Sequence, residues 1–461
     1  MGTQADTTIR AVLRCADEAP GVSWPRLLLG TRVAGLPLLQ RHLLALRQAE
    51  IASVSLAAPP AIVSEIEAAS RACVPAGIQF SVVAEGGDRD VYPELAAWPA
   101  LEQRADTVVD PRLLAQIVRL ARTSQCDVVC VDRAGATSDP ETKSPYNAGV
   151  PDPDEAEPVQ PDVVADMVPI GLAVRGIATP SIALGVGRYY WQRVGGADEA
   201  ATATRKVLLS TMKATDGIFA RTNRRVSLRI SRLLLDTPVT PNIVTVATLV
   251  WGLVAGWLLS RGQHATFVAG ALFAWFASML DGVDGELARA KFQSSAFGHW
   301  LEMVCDYAFY IALFVGLGAG VQRIKGDPIW LLVGIGAAVG VVVSFAAVAR
   351  LKRAYARQGS MGDFYLAYQR TVGGGSNLFL RMTPHLMALM TRAGFPYLLI
   401  AIAILDMPRG MLVSIFIATH AFWMTALYAT RLRVTLQPAS SAPRLEPAIP
   451  SPRPVGVAEI E

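Results

Sequence analysis

Asp281-Gly-Val-Asp284-Gly285-Glu-Leu-Ala288-Arg289 and, eight residues later, Gly298-His-Trp-Leu-Glu302-Met-Val-Cys-Asp306 stand at the junction of two strongly apolar segments. A carboxylate at membrane depth costs at least ~2.5 kcal/mol, so acids in such a setting need a reason to be there. Residues three, four and seven apart share a helix face. Asp281, Asp284 and Ala288 therefore form one stripe, and Gly298, Glu302 and Asp306 form another. Two such helix ends facing each other would make an all-oxygen cage for hard divalent cations such as Mg²⁺, which bind carboxylates together with substrate phosphates. The small residues between the acids let a bulky group approach the backbone. Acidic helix caps at a membrane surface would account for Asp281 or Asp284 singly, but not for the whole set.

With that spacing, the run resembles the signature of the CDP-alcohol phosphatidyltransferases, D-x2-D-G-x2-A-R-x8-G-x3-D-x3-D. Asp281, Asp284, Gly285, Ala288, Arg289, Gly298 and Asp306 match it, and Glu302 stands where the family has its third Asp. The resemblance implies Mg²⁺, or Mn²⁺ in its place, held by Asp281, Asp284, Glu302 and Asp306. It implies Asp306 as general base, and a CDP-alcohol donor bound by Asp281, Gly285, Ala288, Arg289 and Gly298. It further implies an acceptor hydroxyl, release of CMP and a homodimer. Arg350, Arg353 and Arg357 are candidates for the acceptor pocket if the acceptor is itself a phosphate ester.

Working outward, apolar runs predict an all-α domain over 241–433 with six spans, at about 243–260, 265–282, 299–320, 328–350, 385–406 and 410–431. Arg392 and Pro396 interrupt the fifth. With the N-terminus inside, the cytoplasmic loops hold Arg289 and Lys291, then Arg350, Lys352, Arg353, Arg357 and Arg370, then Arg431 and Arg433. The opposite loops hold only Arg261, Arg323, Lys325 and Arg409. That asymmetry puts the carboxylates and the N-terminal domain on the cytoplasmic side. Before the first span, over 206–240, Arg221, Arg224, Arg225, Arg229 and Arg232 recur at helical spacing opposite Phe219, Val226, Ile230 and Leu233. The pattern predicts an interfacial helix on an anionic leaflet.

Residues 1–205 alternate short apolar runs with helical stretches: strands at Ala11–Cys15, Ile51–Ala57 and Asp127–Val131, and a helix near Leu38–Gln48. An α/β domain with a mainly parallel sheet follows. Pro25-Arg26 through Gly35-Leu36-Pro37-Leu38-Leu39, with Ala49-Glu50-Ile51, resembles nucleoside-diphosphate-sugar pyrophosphorylases and related nucleotidyltransferases. In those enzymes a glycine-rich loop after the first strand cradles the triphosphate. Here the equivalent Cys15–Trp24 segment holds one glycine and no G-x-G, Arg26 replaces a Lys, and Asp132 ends a strand as a turn former would. A degenerate, inactive nucleotidyltransferase-like domain is expected. Joined to the membrane domain, it is similar to the bifunctional enzymes that make CDP-inositol and condense it with inositol phosphate.

Of the 461 residues, 52% are hydrophobic and 17% charged, as in a partly membrane-embedded chain. A net charge of +4 gives no electrostatic case for nucleic acid. Cys126 and Cys130 read as core thiols on a strand, no secretory signal is evident, and reduced cytoplasmic thiols fit both. Segment 133–165 is expected to be a loop and 434–461 a disordered, proline-rich tail. The histidines show no ligand spacing. Two other classes compete, a six-span transporter and a membrane-anchored nucleotide-binding scaffold; Mg²⁺-dependent CMP release separates the enzyme from both.

Overall fold

A computed structural model describes residues 9–15, 23–84, 99–133, 167–175, 177, 182–186, 189–212, 218–355 and 391–431. The chain divides into two compact units that do not follow the order of the sequence. Met1–Val246 belongs with Met279–Glu302, and Ala247–Ser278 belongs with Met303–Glu461.

The first unit is built on a seven-stranded sheet. Its strands are β1 (Arg10–Arg14), β4 (Ser53–Ala58), β5 (Gln79–Ala84), β6 (Ala100–Arg104), β8 (Val128–Arg133), β9 (Met167–Arg175) and β10 (Ile182–Gly185). They lie in the order β10-β8-β9-β6-β1-β4-β5. β1 runs parallel to both neighbours, and its Ala11, Val12 and Leu13 are buried, as a central parallel strand with both faces covered requires. β9 is the exception to the parallel sheet, pairing antiparallel with β6 on one side and β8 on the other. Two short antiparallel pairs accompany the sheet: the hairpin of β2 (Arg32–Val33) with β3 (Leu36–Pro37), and the long-range pair of β7 (Thr107–Val109) with β11 (Trp191–Arg193).

The helices of this unit follow from local chemistry. α1 (Leu38–Gln48) buries Leu38, Leu39, Leu43 and Leu46 at helical spacing. After α2 (Val63–Ser70) comes α3 (Pro111–Ser124). There Asp110 caps the N-terminus by accepting from the Arg112 backbone N–H at 2.9 Å, proline fills the first position, and Gln125 closes the helix in the left-handed region. α4 (Ala197–Ser210) and α5 (Ile218–Leu234) follow. Gly35, at φ +80°, turns the β2–β3 hairpin so close to the end of α5 that a Cβ there would collide with the Leu235 carbonyl oxygen.

One residue departs from the expected basic face of α5. Its buried residues are Asn223, Ser227 and Ser231, whereas Leu233 is 76% exposed. Arg221, Arg225, Arg229 and Arg232 do lie outward, but Arg224 turns inward to a buried carboxylate. Ser227 and Ser231 are buried because they meet that carboxylate, while Leu228, Ile230 and Leu234 pack half-buried against the apolar core.

Beyond α5, four helices are long and apolar enough to cross a membrane among the described residues. They are α6 (Pro241–Ser260), α7 (His264–Ala290), α8 (Ala296–Lys325) and, over Ile329–Ala347, α9 (Ile329–Tyr355). These match the first four expected spans. Of the fifth, residues 391–406 are described and hold α10 (Phe395–Ile404), with 385–390 outside the described residues. α11 (Pro408–Arg431) coincides with the sixth. Within the second unit, Gly256 and Gly316 let α6 and α8 meet almost backbone to backbone; a Cβ on Gly316 would collide with the Gly256 carbonyl oxygen. Small residues at such crossings are what helix packing in lipid favours. Outward-facing Val250, Leu253, Trp257, Leu332 and Val339 remain exposed, as lipid-facing positions would be.

Residues 16–22 of the expected nucleotide loop, the segment 134–166 and the tail after 431 lie outside the described residues.

Candidate active site

α7 carries two chemistries on opposite sides of its last turns. On one side, Asp284 is 4% exposed, with the Thr245 hydroxyl of α6 donating to Oδ2 at 2.6 Å and the Gly285 backbone N–H donating to Oδ1 at 2.6 Å. Both donors are neutral, and Asp281 and Glu302 are charged neighbours of Asp284. Three carboxylates of one sign thus share a neighbourhood, with oxygen lone pairs left over on Asp284. That donor set suits a hard divalent cation. Among the described residues, however, no three His, Cys, Asp or Glu side chains are gathered closely enough to ligate one ion. Glu302 also has the ring of exposed His299 beside it, 3.7 Å away.

The neighbouring signature residues fall on the same side. Arg289 folds back over Gly285, where a Cβ would come 3.2 Å from its guanidinium. Ala288 is half-buried one turn from Asp284. Gly298, at the start of α8, faces the Asn242 side chain; a Cβ there would sit 3.1 Å from the amide oxygen. The Pro241-Asn242 opening of α6 therefore belongs to this neighbourhood.

The other side of α7 holds Glu286, which is fully buried. Its carboxylate accepts from Arg224 Nη1 at 2.7 Å, Ser227 Oγ at 2.6 Å and Ser231 Oγ at 2.6 Å. Arg224 Nη1 also reaches the Gly282 carbonyl at 3.2 Å. A buried carboxylate is tolerable when a cation and hydroxyls satisfy it in this way. Sequence reasoning missed Glu286. The available signal was an acid two positions after Asp284, hence across the helix, together with two serines four apart on an otherwise basic helix.

Asp306 lies in the second unit, where Arg392 forms an ion pair with it and stands over the Phe309 ring, 4.8 Å from its centroid. Ser278 Oγ donates to the Arg392 carbonyl at 2.8 Å and so helps fix that residue. In the sequence Arg392 reads only as an interruption of a span, although an ionisable residue in an apolar helix calls for a partner. Of Arg350 and Arg353 only the helix backbone is described, and Arg357 lies outside the described residues.

In the N-terminal domain, Asp132 is 8% exposed and Trp191 Nε1 donates to its Oδ2 at 2.8 Å. Cys130 is buried on β8, and burial pushes its thiol up; Cys126 precedes the strand, half-buried. Arg26 is exposed on the turn Arg26–Gly30.

Residues 238–403 match the family model for CDP-alcohol phosphatidyltransferase, so the C-terminal half carries a domain of that family. A bifunctional IPC transferase and DIPP synthase of Thermococcus kodakarensis is 33% identical over 169 residues, 36% of this chain and 37% of that protein. One of Aquifex aeolicus is 35% identical over 138 residues, 29% and 31% of the two chains. A phosphatidylinositol phosphate synthase of Mycobacterium tuberculosis is 36% identical over 93 residues, 20% and 42%. The matched stretches thus span 31–42% of the length of these curated relatives. Among solved structures, a UDP-glucose pyrophosphorylase from Acinetobacter baumannii aligns with 48% of this chain and 99% of its own, at 12% identity. Its TM-score of 0.30 does not establish a shared fold.

Proposed function

We propose that the chain is a membrane CDP-alcohol phosphotransferase, moving a substituted phosphate from a CDP-alcohol to an acceptor hydroxyl with release of CMP. The observation that carries this reading is the family match over residues 238–403, which encloses the whole carboxylate signature. Asp281, Asp284, Glu302 and Asp306 would hold Mg²⁺ or Mn²⁺, and the bound metal would supply neutralisation of charge on the phosphate oxygens. Asp306 takes the proton of the acceptor hydroxyl as its oxygen bonds to the phosphorus bearing the alcohol. The bond from that phosphorus to the bridging oxygen breaks, and CMP leaves with the electron pair. Gly285, Ala288 and Gly298 leave room for the donor, and Arg289 contacts its phosphates or supports the carboxylates. Arg350, Arg353 and Arg357 are assigned to an acceptor phosphate.

The names of the relatives support polyol-phosphate or phospholipid biosynthesis as the setting. The N-terminal domain and the carboxylates are assigned to the cytoplasmic side, α5 to the membrane interface and the assembly to a homodimer. The N-terminal domain makes no CDP-alcohol of its own, a reading supported by the Trp191 indole on Asp132.

Purified protein in detergent, offered CDP-diacylglycerol or CDP-inositol with inositol or inositol phosphate, tests the reading. Mg²⁺-dependent CMP release from one pair is expected; none from any pair refutes it. Pyrophosphate release from CTP and an alcohol phosphate would overturn the assignment of the N-terminal domain.

A further inference from the structure

We propose that the N-terminal domain works as a clamp on the signature helix, with Arg41 as its central positioning residue. This inference rests on the transferase reading above and gives a function to a domain that the reading leaves without one. The rear face of α7, Val283, Leu287 and Ala290, is fully buried in the same apolar core as Leu13 of β1 and Leu38, Leu39 and Leu43 of α1. The helix end that carries Ala288 and Arg289 is therefore a wall of the N-terminal core.

Hydrogen bonding at that end is equally specific. The last carbonyls of a helix lack intrahelical partners. Here Leu287 accepts from the Lys291 N–H at 2.9 Å, Ala288 from the Gln293 N–H at 2.8 Å and Arg289 from the Phe292 N–H at 3.4 Å. The carbonyl of Ala290 is met instead by Arg41 Nη1 of α1, at 2.9 Å and across 249 positions of sequence. Arg41 is 3% exposed, reaches the Val33 carbonyl at 3.4 Å and stands over the Phe292 ring, 5.3 Å from its centroid. Phe292 itself is in the left-handed region, at φ 55°, a conformation that an aromatic residue keeps only where its surroundings hold it. Lys291 completes the clasp, donating to the carbonyls of Leu234, Thr237 and Val239 at 3.0, 2.9 and 3.2 Å. A cation at a helix C-terminus is favoured by the helix dipole, and a planar guanidinium suits two carbonyls at once. Arg41 thereby sets the rotation and register of the turn from which Ala288 and Arg289 project.

The test uses the full-length protein in detergent as wild type, Arg41→Met, Arg41→Lys and Arg47→Ala. Arg47 is an exposed arginine of the same helix, directed to the Ala76 carbonyl. Amide hydrogen exchange over 279–302 is measured beside Mg²⁺-dependent CMP release, the latter separated into kcat and donor KM. In Arg41→Met, exchange over that stretch should accelerate by roughly tenfold or more. In the same variant kcat should fall by roughly tenfold, with donor KM within about twofold of wild type. Arg41→Lys should recover part of both losses, and Arg47→Ala should show neither. Unchanged exchange over 279–302 in Arg41→Met overturns the clamp, as does faster exchange spread evenly over the β-strands with kcat intact. If Arg41→Met does not fold, the same two criteria apply to Arg41→Lys. If wild type releases no CMP from any donor, the transferase reading fails and the exchange data alone judge the clamp.

Discussion

Buried acids are treated differently in the sheet of the N-terminal domain and at the end of α7. In the sheet domain each is matched locally. Asp106 accepts from Arg104 at 3.1 and 2.8 Å and from the Thr107 hydroxyl at 3.0 Å, and these partners hold its carboxyl below the usual range despite its burial. Asp110 takes Arg112 through both side-chain oxygens, and Asp132 takes the Trp191 indole. Near the end of α7, Asp284 receives a hydroxyl and an amide N–H among the described residues, with Asp281 and Glu302 as charged neighbours. Glu286, two residues further on, returns to the first pattern with Arg224 and two serines. In these two regions the matched acids hold the fold, whereas Asp284, met by neutral donors among the described residues, is the one that the transferase reading offers to a cation from outside.

Each side of the contrast can be broken by measurement. Asp284→Asn should lower CMP release by about 10³-fold or more, since metal charge stabilisation is worth several kcal/mol in the transition state. Its thermal midpoint in detergent should stay at the wild-type value; near-normal turnover would remove Asp284 from the site. Glu302→Gln should raise the Mg²⁺ concentration for half-maximal rate and slow turnover, while Glu302→Asp keeps part of the activity. Wild-type rate and metal dependence in Glu302→Gln would make that residue a bystander.

Arg224→Met leaves the Glu286 carboxylate buried without its cation and should destabilise the fold by about 3–5 kcal/mol. The double variant with Glu286→Gln should regain much of that loss in an unfolding titration. If the single variant unfolds like wild type, the distinction between the two acids of α7 collapses.

His42 gives a pH test for the sheet domain. Its ring lies between the Ala105 carbonyl at 2.9 Å and the Gln103 amide at 3.0 Å, and burial pulls its pKa from 6.5 to about 4. The depressed value means that the unfolded chain binds the proton first. Stability from this group is therefore whole above pH 6.5, falls as the pH drops toward 4 and levels off below it, by about 3 kcal/mol in all. His42→Gln should flatten that part of the stability curve; a curve identical to wild type would refute the assignment. The smallest effect belongs to Asp132→Asn, which should cost about 1 kcal/mol and leave CMP release unchanged. Loss of transfer in that variant would give the sheet domain a catalytic role.

Features governed by short stretches of chain were legible in advance. The helix expected near Leu38–Gln48 is α1, and four spans follow from runs of apolar residues that need no partner to be recognised. The spacing of Asp281, Asp284 and Ala288 puts them on one side of a helix for the same reason. Pairings between distant segments were not legible. Nothing in Met167–Arg175 says that it will enter a parallel sheet in the opposite sense, between β6 and β8. Glu286 reads as an ordinary variable position until Ser227 and Ser231 arrive from α5, and Arg392 reads as a flaw in a span until Asp306 is beside it.

The shared core also dictates an order of biogenesis. Leu13, Leu38 and Leu43 leave the ribosome some 240 or more residues ahead of Val283, Leu287 and Ala290, by count from the sequence. Until α7 has been made, the young N-terminal domain shows an open apolar edge, and Arg41 lacks the carbonyl that completes its cap. Nascent chains halted before residue 283 should therefore be the ones that engage chaperones or aggregate, and completion of the second span is the event that releases them.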